Sequence, residues 1–249
     1  MQFMAKLAIA VWLFATLLSA PVSASVVDID LSAADGTKLK ATYASPDDPG
    51  LGQGPGMLLI HQCNMDRSMW QGIAAQLTEA GIHVLAMDLR GFGESAGEGM
   101  GGAGGFPAFM QSSSADVDLA FAYLANQTGV DTARIAIGGA SCGAMLTAGL
   151  ASRQSGVKAL MLLSGPPSDD AVAHIARTPG LAVFAAAARD DTVVPDVAAR
   201  LQSAVDGSPH PSSVARIYDG TEHGLPMLDK NADLEPALIA WLKHELSVD

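Results

Sequence analysis

Basic residues are scarce in this 249-residue chain: 14 lysines and arginines stand against 26 aspartates and glutamates, a formal charge of −12. So acidic a surface repels phosphate backbones, and no nucleic-acid partner is expected. Aromatic residues make up only 5% and charged residues 16%, yet hydrophobic residues reach 49% and glycines number 26. That composition excludes a disordered chain and suits helices packed closely on a sheet. No internal repeat stands out and no His/Cys group has metal-ligand spacing, so neither a metal nor a cofactor is expected. Cysteine is reduced to two residues, Cys63 and Cys142, which permit one disulfide if the protein is exported.

Long apolar runs are also lacking, apart from Leu7 to Leu18. Lys6 precedes that run, and Val22-Ser23-Ala24 offers small residues at the two positions a signal peptidase reads. Residues 1–24 therefore read as an export signal, and the run is shorter than the roughly 20 residues a bilayer span needs. The expectation is cleavage near Ser25, a periplasmic or secreted product, and no stable membrane anchor afterwards. Loss of the leader removes one lysine and no acid, moving the formal charge from −12 to −13. About 225 residues remain, enough for one core and too few for two comfortable domains, so residues 25–249 are read as a single domain.

From Ser25 onward, strand-like and helix-like stretches alternate. Val26 to Asp30 and Leu39 to Tyr43 flank the turn Ala34-Asp35-Gly36-Thr37, the pattern of an antiparallel hairpin. Beyond a Pro/Gly-rich link from Pro46 to Gly56, short apolar runs at Met57–Ile60, His83–Leu89, Arg134–Gly138, Ala159–Leu163, Leu181–Ala188 and Ala215–Tyr218 read as buried strands. Helical patterns occupy Ser68 to Ala80, Phe109 to Gln127, Cys142 to Arg153, Val197 to Val205 and Asp233 to Leu246. This alternation requires crossover connections, hence an α/β fold with a mainly parallel sheet covered on both faces. Ligands on such sheets bind beyond the carboxyl ends of the strands, where polar residues are to be sought. The glycine-rich stretch Gly97 to Gly105 lacks the lysine and the serine or threonine of a phosphate-binding loop, and it reads as a surface loop.

Gly139-Ala140-Ser141-Cys142-Gly143 joins the apolar run at Arg134–Gly138 to a helix that opens at Cys142. A G-x-S-x-G pentapeptide acquires meaning in that context, because a strand before it and a helix after it leave the serine exposed at a tight turn beside helix amides. Three further segments appear in order: Leu58-Leu59-Ile60-His61-Gln62 with Trp70 beyond it, Asp88-Leu89-Arg90-Gly91-Phe92-Gly93-Glu94-Ser95, and Arg189-Asp190-Asp191-Thr192-Val193-Val194-Pro195; Asp219-Gly220-Thr221-Glu222-His223-Gly224 follows. With these motifs, the sequence resembles the α/β-hydrolase superfamily over nearly the whole mature chain. It resembles lidless serine esterases and dienelactone-hydrolase-like members more than lipases with helical caps, although dienelactone hydrolases themselves carry cysteine at the elbow centre.

The resemblance implies a triad in the chain order Ser141, Asp191, His223. Serine is a poor nucleophile until a base accepts its proton, and histidine serves as that base only when a third group fixes its tautomer. Asp190 competes with Asp191; the family's acid, four residues before the proline, corresponds to Asp191. The resemblance also implies an oxyanion hole formed by the backbone amides of Cys63 and Cys142, with His61 and Gln62 supporting it. Gln62 departs from the glycine usual at that place. If both cysteine amides converge on one oxygen, the two residues lie close enough for a disulfide, the alternative being two buried free thiols. About sixteen residues, Gly165 to Gly180, occupy the place where many relatives insert a lid, and one short helix fits there.

The expected function is hydrolysis of a small-molecule carboxylic ester through an acyl-enzyme on Ser141. Peptide or amide hydrolysis by the same triad is the second reading, and a non-catalytic binding protein on the same scaffold is the third.

Overall fold

A computed structural model describes residues 24–46 and 53–248. The expected leader therefore lies outside the described residues except for Ala24, as do residues 47–52 of the Pro/Gly-rich link. Ala24 is already sheet: β1 (Ala24–Ser32) and β2 (Lys38–Pro46) form the antiparallel hairpin, each reaching beyond its apolar centre. Then follow β3 (Gly54–Ile60), β4 (His83–Met87), β5 (Val130–Ala140), β6 (Val157–Leu163), β7 (Ala182–Ala188) and β8 (Val214–Tyr218). Among the described residues these make one sheet in the order β1-β2-β4-β3-β5-β6-β7-β8. Pairing is antiparallel for β1–β2 and β2–β4 and parallel from β4 to β8.

The connecting helices are α1 (Gln71–Glu79), α2 (Gly105–Ala125), α3 (Cys142–Arg153), α4 (Asp169–Ala176), α5 (Val197–Asp206), α6 (Pro226–Lys230) and α7 (Leu234–Glu245). Successive side chains of a strand point to opposite faces, and the core divides accordingly. Leu58, Ile60, Ile137, Leu160 and Val183 meet α2, α3, α4 and α5 on one face. Met57, Leu59, Val84, Met161 and Phe184 meet α1, α6 and α7 on the other. Every residue of β3, β4 and β7 is buried, the physical reason their apolar runs show no alternation. No helix among the described residues is long and apolar enough to cross a membrane.

Three helical features differ from the sequence reading, and the one short helix expected between β6 and β7 is present. The expected helix at Ser68–Ala80 opens as a 3₁₀ turn, Arg67–Trp70, because the Asp66 carboxylate accepts from the Ser68 amide at 2.9 Å and caps that turn. Helix α2 starts four residues before Phe109: Gly104 takes a left-handed conformation and Gly105 is already helical, so the end of the glycine-rich stretch is not loop. Glycine has no side chain to carry a periodicity, which hid this turn from the sequence. The gap between β6 and β7 holds α4 alone, capped by Ser168 with Asp169 and Asp170 in its first turn. The short α6 was not foreseen; Pro226 sits in its first turn, a position proline tolerates.

The Asp88–Ser95 motif works as a brace. The buried Asp88 carboxylate accepts from the amides of Arg67 at 2.7 Å and Glu94 at 2.9 Å and pairs with the Arg67 guanidinium. Ser95 Oγ donates to the Asp88 carbonyl at 2.7 Å, and Arg90 forks onto the buried carboxylate of Asp116 at 2.6 and 2.8 Å. Gly93 runs so close to Asp88 that a Cβ there would lie 2.3 Å from its carboxylate oxygen. This loop ties β4 to the first helical turn and to α2.

Candidate active site

Strand β5 delivers Ser141 to the sheet's carboxyl edge, and α3 leaves from it in the opposite sense. The reversal forces Ser141 to φ 52°, ψ −122°, a conformation L-residues adopt only under constraint and at a cost of about 1–3 kcal/mol. Its amide donates to the Leu163 carbonyl at 2.8 Å, which anchors the turn to β6. The flanking glycines are required by contact: a Cβ on Gly143 would lie 2.4 Å from the Ile60 carbonyl oxygen, and one on Gly139 would lie 2.5 Å from the Gly143 backbone.

The loops after β7 and β8 bring two more of the expected residues to Ser141. His223 Nε2 lies 2.8 Å from Ser141 Oγ, and His223 Nδ1 lies 2.7 Å from Asp191 Oδ2. The Asp191 carboxylate is almost wholly buried, and its other oxygen accepts from the amides of Val193 and Val194, both at 2.9 Å. Asp190 is exposed. With an ionised carboxylate on Nδ1, the imidazole proton resides there, and the Nε2 lone pair is free to accept from the serine hydroxyl. The arrangement can move a proton from Ser141 to His223 while Asp191 stabilises the resulting imidazolium.

The residues expected around the oxyanion also converge. Cys63 and Cys142 are joined by a disulfide, with Cα atoms 5.8 Å apart and a sequence separation of 79. The Gln62 carbonyl accepts from His61 Nδ1 at 2.7 Å, from the Asn64 amide at 2.9 Å and from the Met65 amide at 3.0 Å. In a trans peptide the C=O and the following N–H point in opposite directions, so the three donors that hold the Gln62 carbonyl turn the Cys63 N–H the other way. Cys142 is the first residue of α3, where amides lack intrahelical acceptors and the helix dipole is positive. Among the described residues, neither of these two amides has a hydrogen-bond acceptor.

His61 is fully buried with both ring nitrogens occupied: Nδ1 donates to the Gln62 carbonyl and Nε2 accepts from the Leu89 amide at 2.9 Å. Burial lowers its pKa, and it has no free lone pair to act as a base. A cavity of about 760 Å³ lies elsewhere, between α1 and strands β1, β2 and β4; Val26, Ala44, Trp70, Ala74 and Val84 contribute to its walls, and Ser141, Asp191 and His223 do not. Among the described residues no group of three or more His, Cys, Asp or Glu side chains can hold a metal ion.

Residues 56–188 match a family model, Hydrolase_4, described as serine aminopeptidase, S33. The chain belongs to this family of α/β-hydrolases. An uncharacterized protein of Mycobacterium tuberculosis strain H37Rv is 36% identical over 124 residues, half of this chain. The match spans 40% of that relative's length. Among solved structures, an acetyl xylan esterase from Paenibacillus sp. R4 superposes with a TM-score of 0.71 at 20% identity, over 89% of this chain and 84% of the esterase. A Pyrococcus furiosus esterase, Pf2001, gives 0.69 at 15% identity, over 88% and 92% of the two chains. At such identities the likeness concerns the fold.

Proposed function

We propose that this S33-family hydrolase cleaves carboxylic esters with short acyl chains through an acyl-enzyme on Ser141. The observation that carries the reading is the unbroken relay from Ser141 Oγ to His223 Nε2, 2.8 Å, and from His223 Nδ1 to Asp191, 2.7 Å. Ser141 Oγ attacks the ester carbonyl carbon as His223 takes its proton, and the developing oxyanion is received by the amides of Cys63 and Cys142. His223 then returns the proton to the departing alkoxide. Water, deprotonated by the same ring, releases the acid and restores the serine.

Two features support a small ester. Only the eight-residue α4 separates β6 from β7, so no lid encloses a long apolar groove there. The structural relatives named above are themselves esterases. The family's description names an aminopeptidase, which makes peptide bonds the second reading, since one relay serves either leaving group.

Hydrolysis of p-nitrophenyl esters from acetate to octanoate, beside aminoacyl p-nitroanilides, tests the choice, with Ser141→Ala as the blank. The expected result is hydrolysis of acetate with no rise in kcat/KM toward octanoate, because an open site gains little of the 0.8 kcal/mol or so that each buried methylene offers. Turnover of the anilides alone would favour the peptidase reading. A folded protein that no fluorophosphonate labels at Ser141 would leave only a binding role.

A further inference from the structure

We propose that the side chain of Gln62 is a positioning residue that holds the His223 turn in register with the oxyanion donors. This inference rests on the ester-hydrolase reading above. The sheet alone does not bring the two parts together: β3, which precedes Gln62, and β8, which precedes His223, are separated by β5, β6 and β7. Four strand spacings amount to about 19 Å. The loops above them must lean toward each other, and contacts between the loops determine where they meet.

Gln62 makes that contact. Its side chain is buried, its Oε1 accepts from the Leu225 amide at 2.8 Å, and its Nε2 donates to Asn64 Oδ1 at 2.7 Å. Leu225 is two residues beyond His223. Gly224, between them, has φ +68°, and a Cβ there would lie 2.0 Å from Gln62 Oε1. The carboxamide therefore packs directly onto the backbone that carries the histidine, in space that only glycine leaves open. The same residue's main-chain carbonyl, held by three donors, orients the Cys63 N–H. One residue thus spans both halves of the reacting centre, its main chain at the oxyanion and its side chain at the base. Glycine at this position would leave the second task undone.

A misplacement of about 1 Å at a reacting group can lower turnover on the order of a hundredfold. Gln62→Met keeps the length and removes both side-chain hydrogen bonds; it is expected to lower kcat for p-nitrophenyl acetate by about 10- to 100-fold with KM within twofold. Rates are counted per site titrated with fluorophosphonate, so unfolded molecules do not enter. Gln62→Glu keeps the acceptor for Leu225 and brings a carboxylate to the histidine turn. It is expected to retain more activity than Gln62→Met and to move the acidic limb of the kcat/KM profile to higher pH, an effect a merely structural residue would not have. Where Gln62→Met does not fold, Gln62→Glu and Gln62→Asn carry the test, the shorter Asn side chain failing to reach Leu225 and losing kcat. The proposal is overturned if kcat per titrated site stays within twofold of the parent in the folded variants, or if the pH profile of Gln62→Glu is unmoved. Absence of ester turnover in the parent itself would instead overturn the underlying reading.

Discussion

Asp191 presents one carboxylate oxygen to His223 Nδ1 at 2.7 Å and commits the other to the amides of Val193 and Val194 at 2.9 Å. Both oxygens act as acceptors, which an asparagine cannot reproduce. With the Asn carbonyl on the two amides, its NH₂ faces Nδ1, drives the ring proton to Nε2 and removes the lone pair that Ser141 needs. Asp191→Asn is therefore expected to lower kcat by about three to four orders of magnitude, whereas Asp190→Asn, exposed and outside the relay, stays within about twofold. Steady-state kinetics on p-nitrophenyl acetate decide it; the opposite ranking would make Asp190 the acid.

The Cys63–Cys142 bridge joins the two residues whose amides are assigned to the oxyanion. Its reduction by a dithiol, or the double change to serine, is expected to lower the urea midpoint by an amount equivalent to about 2–4 kcal/mol. Loosening either donor weakens binding of the transition state more than that of the ester, so kcat should fall with KM little changed. Non-reducing peptide mapping should find a 63–142 linked peptide. Two alkylatable thiols in untreated protein, or an unchanged midpoint on reduction, would count against this account.

His61 is buried neutral, with a pKa below the ordinary histidine value because burial disfavours the imidazolium. The unfolded chain binds a proton near pH 6.5 that the folded one refuses, so stability is full above that pH and falls as pH drops toward the folded pKa. The slope from this one group approaches about 1.4 kcal/mol per pH unit within that window. His83, also depressed by burial, adds a loss of the same sign. Urea midpoints of the parent and of His61→Gln at pH 7.5 and 5.5 check it: the parent should lose more on acidification than the variant. Equal losses would remove His61 from the pH response.

Strand positions were legible because β3, β4 and β7 consist almost wholly of apolar residues, and the Ser141, Asp191 and His223 turns were legible because each of these side chains sits in a run of small and turn-forming neighbours that resembles a family motif. Less visible was whatever depends on contacts between loops. Gln62 was legible as support for the oxyanion loop and as a departure from glycine, but nothing near it in sequence points to Leu225, 163 residues away. The 3₁₀ opening before α1 turned on a single carboxylate, that of Asp66, accepting from one amide. The early start of α2 lay in glycines, which carry no pattern. For the cysteine pair, proximity was implied by the family resemblance, while the directions of the side chains depend on tertiary packing.

The chain order of the site has a consequence for how the protein is made. Ser141 is followed by Asp191 and only then by His223, 82 residues beyond the serine. A ribosome that stalls anywhere in that interval releases a chain with its nucleophile but without its base, and β8 with its turn has yet to add to the sheet's edge. On the mechanism proposed here, incomplete chains are inert toward esters, and the hydrolytic power arrives with the closing segment of the domain.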